Sequence, residues 1–188
     1  MGRWEPDAEG RFRAAALELF VERGYELTTV ADIAERAGLT SRTFFRYFVV
    51  KREVLFSGSE RLQELMVTAL MSAPPRATAI EAVEAALSAT ASYFGDNREF
   101  ARKRNSVVMA NPDLYERELI KMATLSTALA TALRTRGVVE PDASLAAEAG
   151  IAVFRIAFSQ WVAEAELRDF GEIVSESLAK LRALTNPI

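Results

Sequence analysis

Neither cysteine nor histidine occurs anywhere in the 188 residues. Without cysteine there is no disulfide framework, no thiolate zinc site and no thiol nucleophile. Without histidine there is no Ser-His-Asp triad, no imidazole general base and no histidine-bound metal. Catalysis would rest on carboxylates, lysine, tyrosine or hydroxyls alone, so an enzyme is not expected, and neither a metal nor a cofactor is. The carboxylate pairs Glu81/Glu84 and Glu164/Glu166 read as surface charges. Glycine (9) and proline (6) are too scarce for a loop-rich all-β protein. Long apolar runs are missing as well. The longest uncharged stretch, Met122–Leu133, has 12 residues, short of the roughly 18 or more that a membrane span needs. The first 13 residues mix both charge signs and hold no apolar segment of the signal-peptide kind. A soluble, cytoplasmic protein with no membrane partner is expected. Its net charge of −3 offers no whole-surface attraction to nucleic acid, so binding of that kind requires a local patch.

What is present is a globular, helical composition, half hydrophobic and 26% charged. Phe12, Ala15, Ala16, Leu19 and Phe20 recur at helical spacing, and Gly24 stops that helix. Thr29 with Asp32 matches a capping box, Gly38 ends the helix it opens, and Thr40 can cap a third through Phe48. Longer helices are expected over about 52–72, 78–94, 97–110, 113–136, 142–166 and 169–184. No stretch alternates long enough to demand a strand. The expectation is an all-α fold of about nine helices, with a head over 1–51 and a helical bundle over 52–188.

The sharpest pattern is VADIAERA-GLT-SRTFFRYF, two short helices joined by a glycine-containing turn. That is the pattern of a helix-turn-helix, a motif that also occurs in proteins that never touch DNA. At about 100° per residue, Phe44 and Phe48 share one side of the second helix. Arg42 and Arg46 take the opposite side, flanked by Thr43 and Phe45. From Ser41 to Arg52 there are four positive charges and no acid. A helix entering a major groove needs such bidentate donors for guanine edges, with hydroxyls and cations for phosphate. Arg3, Arg11 and Arg13 could form an arm reaching the adjacent backbone or minor groove, or could be solvated terminal charge.

Residues 24–56, GYELTTVADIAERAGLTSRTFFRYFVVKREVLF, resemble the DNA-binding segment of the TetR (tetracycline-repressor-like) family of bacterial regulators. The resemblance rests on Tyr25, Thr28-Thr29, Ile33-Ala34, Gly38, Thr43-Phe44-Phe45, Tyr47-Phe48, Lys51 and Leu55. It implies phosphate contacts from Thr29 and Lys51, a backbone contact from Tyr47, and base-facing positions at Ser41, Arg42 and Phe45. Arg42 suits guanine and Phe45 a thymine methyl. Phe45 stands where tyrosine is frequent, and Val49-Val50 replaces a more usual polar pair.

The acidic excess lies entirely after residue 53, away from the DNA helix. The resemblance implies that helices of this second part surround a cavity for a small effector. Phe94, Met109, Leu114, Tyr115, Phe154, Phe158 and Trp161 are the candidate lining, with plain core as the alternative, and a largely apolar effector is expected. The run Arg102-Lys103-Arg104 reads either as a partner for an anionic effector or as a solvated helix face. Gly150, Val153 and Ala157 on one helix, and Phe170, Val174, Leu178 and Leu181 on the next, form stripes suited either to a homodimer's four-helix interface or to the monomer's own core. The expected function is a dimeric, effector-released repressor of a palindromic operator in double-stranded DNA. A regulator of the same fold without a small-molecule effector is the alternative, and an all-α enzyme a remote one.

Overall fold

The computed structural model describes residues 7–95, 97–163 and 168–185; Arg3, Glu164 and Glu166 lie outside them. Helix starts follow the capping chemistry of the sequence. Asp7 caps α1 (Ala8–Arg23), Thr29 caps α2 (Val30–Arg36), Thr40 caps α3 (Ser41–Tyr47), and Thr78 caps α5 (Ala79–Phe94). At Thr29 and Thr78 the box is reciprocal: Asp32 and Glu81 accept from the threonine amides at 2.8 and 2.7 Å. The remaining helices are α4 (Ser59–Ser72), α6 (Arg98–Met109), α7 (Pro112–Thr135), α8 (Asp142–Ala163) and α9 (Phe170–Thr185). Among the described residues there is no strand, and the architecture is all-α.

One expected helix is broken. Instead of a single helix over 52–72, a 3-10 turn spans Lys51–Leu55 and α4 begins only at Ser59. Val54, Leu55 and Phe56 are all buried. Three consecutive inward positions cannot share one stripe of an α-helix, so the chain tightens and turns before α4 starts.

The chain forms two compact units. The first comprises residues up to Gly58 together with Lys103–Glu116, so it is not a simple N-terminal cut at residue 51. Its core is aromatic: Phe12 meets Phe44 edge-on at 5.3 Å, and Phe44 lies 4.9 Å from Phe48. The second unit, Ser59–Arg102 and Arg117 onward, is built around α5, which packs on α4, α8 and α9.

Gly150 of α8 is the point of closest approach to α5. A Cβ built there would stand 2.4 Å from Val83 Cγ1, a β-branched side chain with little freedom to move aside. Gly150→Ala should therefore lose about 1–3 kcal/mol to overpacking, against at most ~1 kcal/mol gained in helix propensity. The thermal midpoint should fall; a rise would show that α5 yields freely.

By length and composition α8 is the one described helix able to cross a membrane, yet half of its apolar window is buried within the protein. α8 is a core helix with a second apolar face.

Candidate nucleic-acid interface

The head presents α3. Phe44 and Phe48 are buried under it, while Arg42, Arg46 and Phe45, the last 56% exposed, point away from the core. Thr40 holds the start of the helix by accepting from the Thr43 amide at 3.1 Å, and its hydroxyl meets that of Thr43 at 2.9 Å. Ser41 and Thr43 are half-buried beside this cap. Tyr47 is partly exposed; its ring lies 6.3 Å from Phe12, and the Arg46 guanidinium sits 5.2 Å above it. The outward face of α3 thus offers two guanidinium forks, one apolar ring and a phenol on a rigidly packed base. Such a face can give bidentate hydrogen bonds to guanine and an apolar contact to thymine. Val49 and Val50, in the turn that follows, are exposed.

Two residues expected to contact phosphate also have partners within the head. Lys51 donates to the Tyr25 and Thr28 carbonyls at 2.8 and 2.9 Å, and its ammonium sits 4.1 Å from the Tyr25 ring centre. Two of its three N–H bonds are therefore committed to the α1–α2 loop. The Thr29 hydroxyl donates to Asp32 at 2.6 Å and accepts from the Asp32 amide at 3.1 Å, so its only proton is spent on the cap. The reach of Lys51 to acceptors more than twenty positions earlier has no local signature in sequence. The Arg11 guanidinium likewise has partners in the head, donating to the Ala37 and Gly38 carbonyls at the end of α2.

The capping box carries a pH dependence. Hydrogen bonds from Thr29 hold the Asp32 carboxyl below its ordinary range, aided by Arg23. A depressed folded-state value means stabilisation that is complete above the ordinary carboxylate range and lost as pH falls through the folded value. Between about pH 5 and about pH 3, wild type should therefore lose more unfolding free energy than Asp32→Ala. Urea midpoints measured across that range check this, and parallel losses would contradict it.

In the second unit the expected effector residues separate. Phe94, Phe154, Phe158 and Trp161 do come together, with Phe94 centred 6.1, 5.4 and 5.6 Å from the other three rings. Phe170 completes the cluster at 5.0 Å from Phe94. Phe154, Trp161 and Phe170 are buried, and the rings fill one another's gaps as core. Met109, Leu114 and Tyr115 belong to the other compact unit, where Leu114 is buried core and Met109 is exposed.

The expected dimer stripes are also core. Gly150, Val153 and Ala157 on α8 are buried, as are Phe170, Val174 and Leu178 on α9, and Leu181 packs half-buried beside them. The small residues of α8 serve its approach to α5. The apolar face that α8 leaves exposed is a different one: Leu145 at 64%, Ala152, and Ile156 at 62%, with half-buried Ala149 between them. The spacing i, i+4, i+7, i+11 aligns them on one stripe.

The basic run in α6 is partnered at both ends, by a solvated pair at Arg102 and by backbone at Arg104. Arg102 pairs with Glu99 at 2.7 Å. Arg104 donates to the Leu55 carbonyl at 2.8 Å and stacks 5.0 Å over Phe56, gripping the 3-10 turn that follows α3. At the other end of α6, Arg98 donates to the Trp161 carbonyl at 2.8 Å.

Comparison with known proteins gives this geometry its context. The model for bacterial regulatory proteins of the tetR family matches residues 12–57. A model described as the MftR C-terminal domain matches residues 77–186, more than half of the chain. The HTH-type transcriptional regulator TcmR of Streptomyces glaucescens is 29% identical over 163 residues, 80% of this chain and 71% of TcmR. A TetR-family regulator from Syntrophomonas wolfei has the same fold, with a TM-score of 0.70 over 97% of each chain at 17% identity. The Thermus thermophilus repressor FadR, solved with lauroyl-CoA, is 26% identical, with a TM-score of 0.56 over 94% of this chain and 93% of its own. With its head and most of its helical bundle under these two models, the chain belongs to the TetR family of bacterial regulatory proteins and is a transcriptional regulator.

Proposed function

We propose that the chain is a repressor that binds a palindromic operator as a homodimer and leaves it when a small, largely apolar molecule binds the second unit. The outward face of α3 carries this reading: Ser41, Arg42 and Phe45 reach base edges, while Thr43, Arg46 and Tyr47 meet the backbone. Lys51 and Thr29 also meet phosphate, while their bonds within the head hold the loop and helix that support α3. The head comprises the first compact unit, and the remainder senses and dimerises. Dimerisation uses the exposed Leu145–Ala149–Ala152–Ile156 stripe of α8, because an isologous contact needs one self-complementary apolar face per subunit. The protein acts in the cytoplasm, on DNA.

The lauroyl-CoA bound to the T. thermophilus relative supports an effector with a substantial apolar part. The response has a physical route in α6, which begins in the sensing unit at Arg98 and ends in the head, where Arg104 grips the 3-10 turn. A ligand that favours the DNA-free state must weaken operator binding, and DNA must weaken ligand binding by the same factor. Fluorescence anisotropy of a labelled operator, titrated with lauroyl-CoA and with an extract of apolar metabolites, tests this reading. Release by either supports it, and an operator complex indifferent to both favours a regulator without an effector.

A further inference from the structure

Two consecutive residues of α1 hold α3 at separate points. Phe12 is buried beneath it, its ring centred 5.3 Å from Phe44, 6.3 Å from Tyr47 and 6.1 Å from Phe48. Arg11, the residue before, reaches the turn that leads into α3. One of its guanidinium nitrogens donates to the Ala37 carbonyl and lies 3.4 Å from the Gly38 carbonyl. From this arrangement we infer that Arg11 is a positioning residue for base recognition, setting where Arg42 sits in the groove without touching DNA itself. The inference rests on the reading above, in which the outward face of α3 meets base edges.

The turn needs a donor from outside itself. Gly38 sits at φ +65°, and the amides of Gly38 and Leu39 close back on the Glu35 and Ala34 carbonyls at 2.9 Å each. That reversal leaves the Ala37 and Gly38 carbonyls without a backbone N–H among the described residues. A helix C-terminus favours a cation, and a guanidinium brings several N–H donors in one plane. The approach is close: a Cβ built at Gly38 would stand 2.9 Å from the Arg11 nitrogen. Glycine at 38 therefore serves both the left-handed turn and the access of Arg11 to it.

The two anchors divide the work. The three rings around Phe12 belong to the middle and last turn of α3, so Phe12 fixes how that part of the helix lies. The first turn, with Ser41 and exposed Arg42, follows instead from the Thr40 cap and from the turn that Arg11 holds. A recognition contact tolerates only about 0.5 Å of misplacement. A shift of the 37–40 turn therefore reaches Arg42 before it reaches Phe45 or Tyr47.

Arg11→Met keeps the aliphatic stem and removes the side-chain donors. The probes are an operator duplex selected from the source genome and a scrambled duplex of the same length. Arg11→Met should bind operator about tenfold more weakly and the scrambled duplex less than about twofold more weakly, with an unchanged slope of log affinity against log salt. In an Arg42→Ala background the same change should alter operator affinity by less than about twofold, because the contact it positions is already gone. Circular dichroism at the assay temperature checks folding, and Arg11→Gln is read by the same criteria if Arg11→Met does not fold. Equal losses on both duplexes with a shallower salt slope would make Arg11 a phosphate contact and overturn the inference. A lowered melting temperature with the operator-to-scrambled ratio intact would overturn it too, as would additivity with Arg42→Ala. A wild type that binds both duplexes alike, or an Arg42→Ala variant that discriminates as well as wild type, would overturn the reading of α3 on which the inference rests.

Discussion

Arg42→Ala should cost about 1–3 kcal/mol at each half-site and erase sequence preference at one base pair of each half. Because a dimer presents the side chain twice, operator affinity should fall by roughly two orders of magnitude or more. Affinity for scrambled DNA should fall little, and the dependence on salt should soften only slightly. The helix itself should survive, since Arg42 is exposed and Thr40 caps the first turn without it. Competition titrations with operator and scrambled duplexes check this outcome. Equal losses on both would make Arg42 a backbone contact and leave base reading to Ser41 and Phe45.

The double variant Leu145→Glu/Ile156→Glu should abolish dimerisation while leaving the fold intact. Both side chains are largely exposed in the isolated chain, so charge there costs the monomer little. Across a two-fold interface the same change buries four carboxylates in an apolar seam, where unpaired charge is prohibitive. Light scattering should report the mass of one chain, 20.7 kDa. Operator affinity should drop by roughly 10² to 10⁴, the advantage lost when two linked heads become two separate ones. Charge at Phe170 or Val174, by contrast, should unfold the second unit, because both are buried in its core. A double variant that remains dimeric would place the interface on another face.

The head was legible in sequence because its signals are local. Phe44 and Phe48, four positions apart, decide which way a seven-residue helix rolls, and the rest of α3 follows. Thr29, Asp32 and Thr40 act within three residues of themselves, so their caps could be read directly. Lys51 and Arg11 could not be read that way. Each reaches carbonyls about twenty-six positions away, and a cation on a surface pattern looks the same whether it faces phosphate or a loop.

α8 shows the opposite limit. Its polar residues Ser144, Glu148, Arg155 and Ser159 make only a narrow exposed stripe, so periodicity marks one outward edge but cannot separate the apolar face turned to α5 from the apolar face left exposed beside that stripe. Small side chains permit close approach, and Gly150, Val153 and Ala157 suited a partner subunit as well as they suit Val83 of the same chain. The aromatic residues raised the same ambiguity. A ring lining a cavity and a ring filling one share a spacing; the mutual contacts of Phe94, Phe154, Phe158, Trp161 and Phe170 appear only in three dimensions.

The most direct measurement is selection of fragments of the source genome by the purified protein, followed by footprinting of the retained DNA. Retained fragments should share an inverted repeat, with both half-sites protected over successive major grooves on one side of the duplex. Arg42→Ala should lose that enrichment while still binding bulk DNA at low salt. Fragments without a shared symmetric sequence, or retention unaffected by Arg42→Ala, would contradict recognition of a palindromic operator by α3.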